Sequence, residues 1–297
     1  MRRLFLPAFV VACALLGAAA HAAQVDGLQP PAWLQQAGKK QPLTPGMALS
    51  EADTVETGKH GKALIRLADG SFLRLGENAR LELGRLQEEI TPGGTIRGLL
   101  RIRQGAFRYT AGPISPNLHR ELELQIATTT VGIRSTDVWA RSRDGAATVC
   151  LIEGKLSVRH PARAEFVMDQ PRSCFVAPAK DEPKPVGPVD PDQLKSWTAE
   201  TELDLGQGVL LPGGGWIVEL NSDTSEATAR ATEKRLLERG VPVERTTVQL
   251  RDRTFYRLRV SGFDTREDAR AFAARLKGQP ATPKPSVTCN IPGSSCQ

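Results

Sequence analysis

The clearest feature of the first part of the chain is a series of short segments in which apolar and polar side chains alternate. Residues 62–67 lead in this way into Asp69-Gly70, a dipeptide typical of two-residue hairpin turns with positive φ at both positions, and residues 71–75 return. The alternation recurs in the segments 80–83, 98–108, 121–127, 136–141, 147–152 and 155–159. A period of two is that of a strand with one buried face, so this pattern predicts an all-β domain over residues 43–178.

From residue 216 onward the pattern alternates between strands and helices. Residues 216–220 predict a strand. Asp223 and Glu226, three residues apart, resemble a capping box at the start of a helix, and Gly240 predicts the end of that helix.

The remainder of this region completes a second domain. Two strands are predicted at 243–250 and 255–260, and Thr265 is predicted to cap a second helix. The apolar face of that helix consists of Ala269, Phe272, Ala273 and Leu276. With a last strand at 286–291, the order βαββαβ predicts an α+β domain whose antiparallel sheet carries both helices on one face.

Strand alternation also assigns side chains to the open face of this predicted sheet. They are Ile217 and Glu219 from the first strand and Phe255, Arg257 and Arg259 from a later strand, and Ser222 follows just beyond the end of the first strand. An aromatic ring can lie flat on a sugar or a base, while guanidinium and carboxylate groups supply donors and acceptors. The face is therefore either a platform for a polar polymer or a solvated surface whose arginines keep the sheet soluble.

Residues 179–215 form a predicted linker between the two domains. Its first part is rich in proline and favours extended, semi-rigid conformations. Residues 193–203 predict a short helix with Leu194 and Trp197 on one side. The glycine run at 213–215 predicts a flexible second joint.

The first 22 residues show the three-part pattern of a secretory signal peptide. Arg2 and Arg3 supply positive charge, residues 4–20 carry no charge, and Ala20-His21-Ala22 offers a cleavage site. An uncleaved membrane anchor is the alternative, but the apolar run is short for a span of about 20 residues. We expect residues 1–22 to be removed, which leaves a periplasmic protein without a transmembrane span.

Export determines how the cysteines are interpreted. Besides Cys13, which the cleavage removes, the sequence contains Cys150, Cys174, Cys289 and Cys296. Disulfides persist in oxidising compartments, and proximity along the chain predicts the pairs Cys150–Cys174 and Cys289–Cys296. A zinc site would need closely spaced cysteine or histidine pairs, so we predict neither a metal nor another cofactor.

A formal net charge of +6 raises nucleic-acid binding as a function. The βαββαβ order also serves RNA-binding domains, which recognise bases through aromatic side chains on the sheet. An exported protein is separated from RNA in the cytoplasm, and the aromatic motif of RNA-binding domains is absent from this sequence. We therefore predict no nucleic-acid partner.

The sequence provides no recognised catalytic constellation. It lacks G-x-S-x-G, H-E-x-x-H and a P-loop. Asp137 and Glu153 are a conceivable carboxylate pair for glycan cleavage, but isolated acids in β-hairpins are far more often solvated. We expect the protein not to be an enzyme.

Residues 216–278 resemble the SPOR (sporulation-related repeat) domain family. Residues 216–222, WIVELNS, are similar to the family's W-x-V-Q-x-G-S, and residues 255–263, FYRLRVSGF, are similar to its Y-R-V-x-V-G-P-F. The resemblance implies binding to peptidoglycan, in particular to glycan strands stripped of stem peptides, through the open sheet face. By position it assigns the glycan contacts to Glu219, Ser222, Phe255 and Arg257. Glu219 replaces the family's glutamine, which keeps acceptors but removes amide donors.

Residues 43–178 resemble the FecR domain family. The resemblance lies in residues 43–49, in 63–79 (ALIRLADGSFLRLGENA) and in 130–138, where Ser135 replaces a usual glycine. Family members that regulate siderophore signalling carry this domain outside the inner membrane, behind a cytoplasmic segment and a membrane span that this sequence does not show. The resemblance therefore implies an envelope module that contacts a protein or a ligand.

These patterns together predict a periplasmic, cell-wall-associated protein that binds peptidoglycan glycan strands. The SPOR-like α+β domain, residues 216–291, docks on the wall, and the FecR-like all-β domain holds an envelope protein partner. The alternative is a ligand-sensing or signalling role for the FecR-like domain, with the SPOR-like domain as a tether only.

Overall fold

A computed structural model describes residues 23–88, 94–113, 119–277 and 285–289. Residues 1–22, the predicted signal peptide, and Cys296 lie outside these ranges. The described chain forms a β domain (residues 23–188), a connecting segment (189–215) and an α+β domain (216–289). None of the helices in these ranges combines the length and the apolar character needed to cross a bilayer.

The β domain contains fifteen strands that belong to one sheet. They are β1 (Ala23–Gln29), β2 (Ala32–Gln36), β3 (Lys39–Pro42), β4 (Ala48–Leu49), β5 (Thr54–Thr57), β6 (Lys62–Leu67), β7 (Phe72–Leu75), β8 (Arg80–Glu88), β9 (Thr95–Thr110), β10 (His119–Ile126), β11 (Thr129–Arg143), β12 (Ala146–His160), β13 (Arg163–Met168), β14 (Ser173–Ala177) and β15 (Gly187–Pro188). The main path runs β15-β14-β12-β11-β10-β9-β7-β6-β1-β4, and the other strands pair beside it. The predicted all-β architecture is confirmed.

The long strand β9 ties this sheet together. Its first half pairs in parallel with β10 and antiparallel with β8, and its second half pairs with β7 and β11. The segments 147–152 and 155–159, predicted as two strands, are one strand, β12, with a register shift near Glu153. A bulge absorbs an interruption of the alternation without ending a strand, and for this reason the pattern suggested two.

Strands β1 to β3 precede residue 43, where the sequence pattern placed the start of the domain. β1 lies between β6 and β4 near one end of the main path, and its Val25 and Leu28 are fully buried. A register shift between Val25 and Gly27 breaks the alternation. The hydrophobic pattern therefore did not reveal this strand.

The turn after β6 differs from the predicted two-residue hairpin. Ala68, Asp69 and Gly70 form a three-residue loop, closed by the N–H of Leu67 donating to the carbonyl of Ser71 at 2.8 Å. Of the three loop residues Gly70 alone has a positive φ, 77°. The position of Asp69 is fixed by its side chain. Its carboxylate accepts hydrogen bonds from the N–H and the hydroxyl of Ser71, at 3.0 and 2.9 Å.

A buried ion pair fixes this turn. Arg120 Nε donates to Asp69 Oδ2 at 2.6 Å, and the two side chains are 1% and 5% exposed. The other guanidinium nitrogens of Arg120 donate to the carbonyls of Gly112 (3.1 Å) and Arg134 (3.4 Å). The charged groups are therefore paired within the domain, which is the condition for burying them.

The connecting segment contains the helix α1 (Pro191–Ala199), four residues shorter at its C-terminus than the predicted 193–203. Asp190 caps it by accepting a backbone hydrogen bond in its first turn, where a proline is tolerated. Leu194 and Trp197 lie on the side that meets the β domain. The ring of Trp197 stacks on that of Trp139, with centroids 4.9 Å apart.

A disulfide lies beneath this helix. Cys150 and Cys174 occupy directly opposite positions on β12 and β14 and are joined as their spacing predicted. Cys150 is fully buried in the same apolar cluster as Leu194. Cys289 is also disulfide-bonded, but its predicted partner lies outside the described residues.

Replacing Cys150 and Cys174 together by alanine is expected to lower the free energy of unfolding by about 3 kcal/mol. The bond closes a loop with a sequence separation of 24, and cutting it restores that loop's entropy to the unfolded chain. Urea unfolding of the wild type and the double variant measures the difference. A loss below about 1 kcal/mol would contradict the stabilisation that loop-closure entropy predicts for this disulfide.

The α+β domain follows the connecting segment. Its elements are β16 (Trp216–Asp223), α2 (Glu226–Glu238), β17 (Glu244–Leu250), β18 (Arg253–Phe263), α3 (Arg266–Leu276) and β19 (Ser286–Cys289). The antiparallel sheet order is β17-β18-β16-β19, and both helices cover the buried side chains of Val218, Leu258 and Val260. The predicted βαββαβ order is confirmed.

Capping residues start both helices of this domain. Thr265 Oγ1 accepts the N–H of Asp268 at 3.1 Å, as predicted for α3. At α2 the N-cap is Ser225 rather than Asp223, and its hydroxyl accepts the N–H of Thr228 at 3.3 Å. Asp223 is still part of β16 because that strand runs three residues beyond its predicted end.

The glycine-rich end of the connecting segment is attached to both domains. Leu210 is fully buried and exchanges two backbone hydrogen bonds with Leu28 of β1, at 2.8 and 3.0 Å. It also forms a bridge with Phe263 of β18. Gly214 packs so closely on the carbonyl of Gly262 that a Cβ would not fit. Gly214 therefore permits close packing here, whereas the composition of the segment predicted a flexible joint.

A second contact joins the helical side of the α+β domain to the β domain. Gly240, just after α2, lies against the indole of Trp33 on β2, and its carbonyl accepts the N–H of Ala32 at 3.4 Å. Buried side chains of both domains form one continuous hydrophobic cluster. The two domains therefore pack as a unit, with the helices of the α+β domain turned towards the β domain.

Candidate ligand-binding face

A β-bulge in β16 decides which side chains reach the open face of the α+β sheet. The register pairs Glu219 with Arg259 and Ser222 with Arg257, so that Leu220 lies in the bulge. In a regular strand Glu219 and Ser222, three residues apart, would point to opposite faces. The extra residue shifts the alternation by one and brings both side chains to the same face.

The structure places the four predicted contact residues together on this face, with Arg259 beside them. Phe255, Arg257 and Arg259 alternate along β18 with the partly buried Tyr256 and with Leu258 and Val260, which are buried beneath the helices. Ser222 is exposed, and the other four side chains are partly buried. The face therefore presents an aromatic ring, two guanidinium groups, a carboxylate and a hydroxyl to solvent.

The charged groups of this face are loosely paired. Arg257 Nη1 lies 3.6 Å from Glu219 Oε1, with side chains 39% and 35% exposed. Arg259 Nε lies 3.5 Å from Glu244 Oε2. Direct charge-assisted hydrogen bonds are about 2.7–2.9 Å long, and exposed ion pairs contribute little stability. These groups can therefore exchange their present contacts for a ligand at small cost.

The neighbouring strand β17 extends the face in a way that sequence analysis missed. Its Glu244, Thr246 and Val248 lie opposite Arg259, Arg257 and Phe255, respectively. Alternation along 243–250 carried the signal, because every second residue there belongs to one face. The pairing register needed to align them with β18 is not visible in a single sequence.

Ile217 does not belong to the solvent-facing part of this surface, although alternation placed it there. It is only 5% exposed. β16 is a central strand, and Ile217 has Ser261 on one side and Thr288 on the other. The accessible polar surface thus begins at Glu219.

The open face is directed away from the β domain. α2 and α3 lie on the opposite face of the sheet, and α2 contacts β3 of the β domain. The connecting segment also packs on α3: the carboxylate of Asp268 accepts the N–H groups of Gly208 and Val209 at 2.9 and 2.8 Å. A polymer could therefore approach the open face without displacing either contact.

Of the two carboxylates considered for catalysis, Asp137 is engaged in an ion pair. Asp137 and Glu153 lie opposite each other on β11 and β12. Asp137 accepts two hydrogen bonds from Arg108, at 2.9 and 2.7 Å, and Arg108 also donates to Glu202 of the connecting segment at 2.8 Å. The hydrogen bond to Asp137 raises the pKa of Arg108. Asp137 therefore anchors the arginine that holds the connecting segment.

Within residues 23–88, 94–113, 119–277 and 285–289, no three His, Cys, Asp or Glu side chains are grouped so that they could hold a metal ion.

Two protein families are similar to parts of this chain. The family described as "FecR protein" matches residues 53–157, and the family described as "SPOR domain" matches residues 212–288. A search of curated proteins gives no match.

Among solved structures, two crystal structures of a candidate anti-sigma factor from Parabacteroides distasonis ATCC 8503 are similar to part of this chain. The first is 13% identical with a TM-score of 0.39, and covers 49% of this chain and 64% of that chain. The second is 12% identical with a TM-score of 0.39, and covers 61% of this chain and 72% of that chain. The chain thus spans slightly less than two thirds of the first of these proteins.

Proposed function

This chain carries a FecR domain followed by a SPOR domain, and from that premise we propose that it is a periplasmic, non-catalytic protein that binds denuded glycan strands of peptidoglycan. A SPOR domain implies peptidoglycan binding. The finer proposal is that the open sheet face, with Glu219, Ser222, Phe255, Arg257 and Arg259, makes the contacts.

The bulge at Leu220 is the observation that carries this proposal. It brings Glu219 and Ser222 into line with Arg257 and Arg259, so that acceptors and donors alternate across two adjacent strands. A glycan strand presents hydroxyl and acetamido groups along its length, and these need both kinds of partner. The ring of Phe255 adds a surface on which the apolar face of a sugar can lie.

The orientation of the two domains supports a role in which both are used at once. The open face is directed away from the FecR domain, and the two domains share a buried hydrophobic cluster. We propose that the FecR domain holds an envelope partner close to the wall site. Residues 1–22 would export the chain, and the disulfide between Cys150 and Cys174 suits an oxidising compartment.

The shared cluster also bears on the alternative in which the SPOR domain is only a tether for a sensing FecR domain. A tether needs few contacts with its cargo. Here the packing of Leu210 and of Gly240 on the β domain makes the SPOR domain part of one unit. The packing therefore favours wall binding as a joint property of both domains.

Substitution of Glu219 and Arg257 together by alanine is expected to weaken binding to purified sacculi at least tenfold. The change removes a carboxylate and a guanidinium group that are about one third exposed, so it should leave the fold intact. Co-sedimentation of the full chain with sacculi measures the dissociation constant.

A matched control is available on the helical side of the same domain. Glu226 and Arg230 also form a carboxylate–guanidinium pair, at 2.7 Å along α2. Their double alanine variant should bind sacculi as the wild type does. If both double variants bind equally well, the open face is not the glycan site.

A further inference from the structure

A polar cavity of about 1020 Å³ lies where the FecR domain, the connecting segment and the SPOR domain meet. Its walls come from the bulged middle of β9, the end of β11, the turn between β7 and β8, the chain after α1, and the last turn of α3. Ligand pockets in proteins measure about 300–1000 Å³. The cavity is therefore large enough for a small molecule together with some water.

The wall formed by the connecting segment is held in place by ion pairs. Lys62 Nζ lies 3.0 Å from Asp204 Oδ2 and donates to the carbonyl of Glu202 at 2.7 Å. Arg141 of β11 pairs with Glu200. Lys62 and Arg141 are neutralised by the segment itself. They therefore hold the segment in place and are not available to pair with a ligand.

Other polar groups of the cavity have no such use. Asn78, Gln104 and Gln207 line it and are exposed to solvent, and their side-chain amides take part in no hydrogen bond within the described residues. Arg143 also lines the cavity, is 80% exposed, and has its nearest carboxylate, that of Asp144, 3.8 Å away. The cavity thus offers three amides, each with donors and an acceptor, beside one weakly paired guanidinium group.

We propose that this cavity binds a small polar anion, a molecule with one carboxylate next to amide or hydroxyl groups. The guanidinium fork of Arg143 matches a carboxylate, and the amides match the neighbouring polar groups. No Phe, Tyr or Trp is among the described residues that line the cavity, so a stacked base or an extended glycan is a poorer fit. An acidic N-acetylated sugar and a short acidic peptide share the required chemistry.

The site depends on the docked arrangement of the two domains. Arg275 of α3 contributes to the wall and donates to the carbonyl of Gln207. A ligand bound only when all walls are present stabilises that arrangement by mass action. Occupancy of the cavity therefore strengthens the attachment of the SPOR domain to the FecR domain.

Calorimetric titration of the full chain tests this proposal with three probes. N-acetylmuramic acid carries an acetamido group and a carboxylate, the dipeptide Ala-Glu carries an amide and carboxylates, and N-acetylglucosamine carries the acetamido group alone. We expect saturable binding of at least one acidic probe, and the tighter of the two identifies the source. N-acetylglucosamine should bind at least tenfold more weakly than that probe.

The variant Asn78→Gly/Gln104→Ala/Arg143→Ala should weaken binding of the acidic probe at least tenfold. Asn78 has a φ of 52°, which glycine adopts without strain, so the backbone is preserved. The single change Arg143→Ala, at an exposed site, should weaken binding several-fold without affecting the fold. The control is Lys195→Ala, which removes an exposed charge on α1. This variant should bind the acidic probe as the wild type does.

Three results would overturn the proposal: no saturable binding of either acidic probe, equal binding of the neutral sugar, or equal affinity of the triple variant and the wild type. The outcome of this experiment does not depend on whether the open face binds glycan strands. The variant Glu219→Ala/Arg257→Ala should bind the acidic probe as the wild type does, whether or not it binds sacculi.

Discussion

Replacing Arg120 by alanine is expected to lower the free energy of unfolding by about 3–5 kcal/mol, the range found when one partner of a buried ion pair is removed. The change leaves the Asp69 carboxylate, 5% exposed, without the guanidinium group that now lies 2.6 Å away. It also removes the donors that reach the carbonyls of Gly112 and Arg134. The loss is therefore that of an uncompensated buried charge together with two further hydrogen bonds.

Urea unfolding of the full chain measures this effect, and Arg97→Ala is the matched control. Arg97 pairs with Glu121 at 3.1 Å, but the two side chains are 58% and 55% exposed. An exposed pair contributes about 0–1 kcal/mol, so the control should remain close to the wild type. Equal losses in the two variants would show that burial does not govern the contribution of Arg120.

Replacing Leu210 by alanine is expected to lower the free energy of unfolding by about 2–5 kcal/mol, because the side chain is fully buried. Leu210 lies between Leu28 of β1 and Phe263 of β18, so the cavity left by the change opens between the two domains. The lost stability should therefore be mainly that of the contact between the two domains. The unfolding curve should then broaden or split into two transitions, one for each domain.

Leu205→Ala provides the control for this prediction in the same segment. Leu205 is 72% exposed, and a change at such a site usually alters stability by less than about 0.5 kcal/mol. Unfolding followed by tryptophan fluorescence compares the two variants. A single, unshifted transition in Leu210→Ala would contradict the packing of the two domains as a unit.

Much of the fold was predictable because alternation is a local property. β6 and β7 follow it closely, and α3 and the cap at Thr265 were predicted from helical spacing and capping, which are also local. Bulges limit this method, since they change the phase of alternation where a distant strand pairs. The strand β1, with its shift between Val25 and Gly27, was missed for that reason.

The connecting segment shows a different limit. Glycine and proline predict flexibility from composition, but Gly214 lies so close to the carbonyl of Gly262 that no larger residue would fit there. Such close approaches are tertiary properties. The attachment of the two domains through Leu210 and Trp33, and the cavity beside it, could therefore not be predicted from the sequence.

The five residues of the open face were predicted individually, yet the reason they lie together is structural. Alternation placed Phe255, Arg257 and Arg259 on one face, and the strand β18 keeps them there. Alternation alone would have put Ser222 on the face opposite Glu219. The bulge at Leu220 corrects this, and Glu244 and Thr246 of β17 complete the surface through a pairing that the sequence does not show.

The most direct test of the central claim compares sacculi that retain their stem peptides with sacculi from which an amidase has removed them. The full chain is sedimented with equal amounts of each, and the bound fraction is measured over a range of protein concentrations. Binding through the open face to the glycan strand predicts at least several-fold tighter binding to the stripped sacculi. Equal binding to both, or no binding to either, would contradict it.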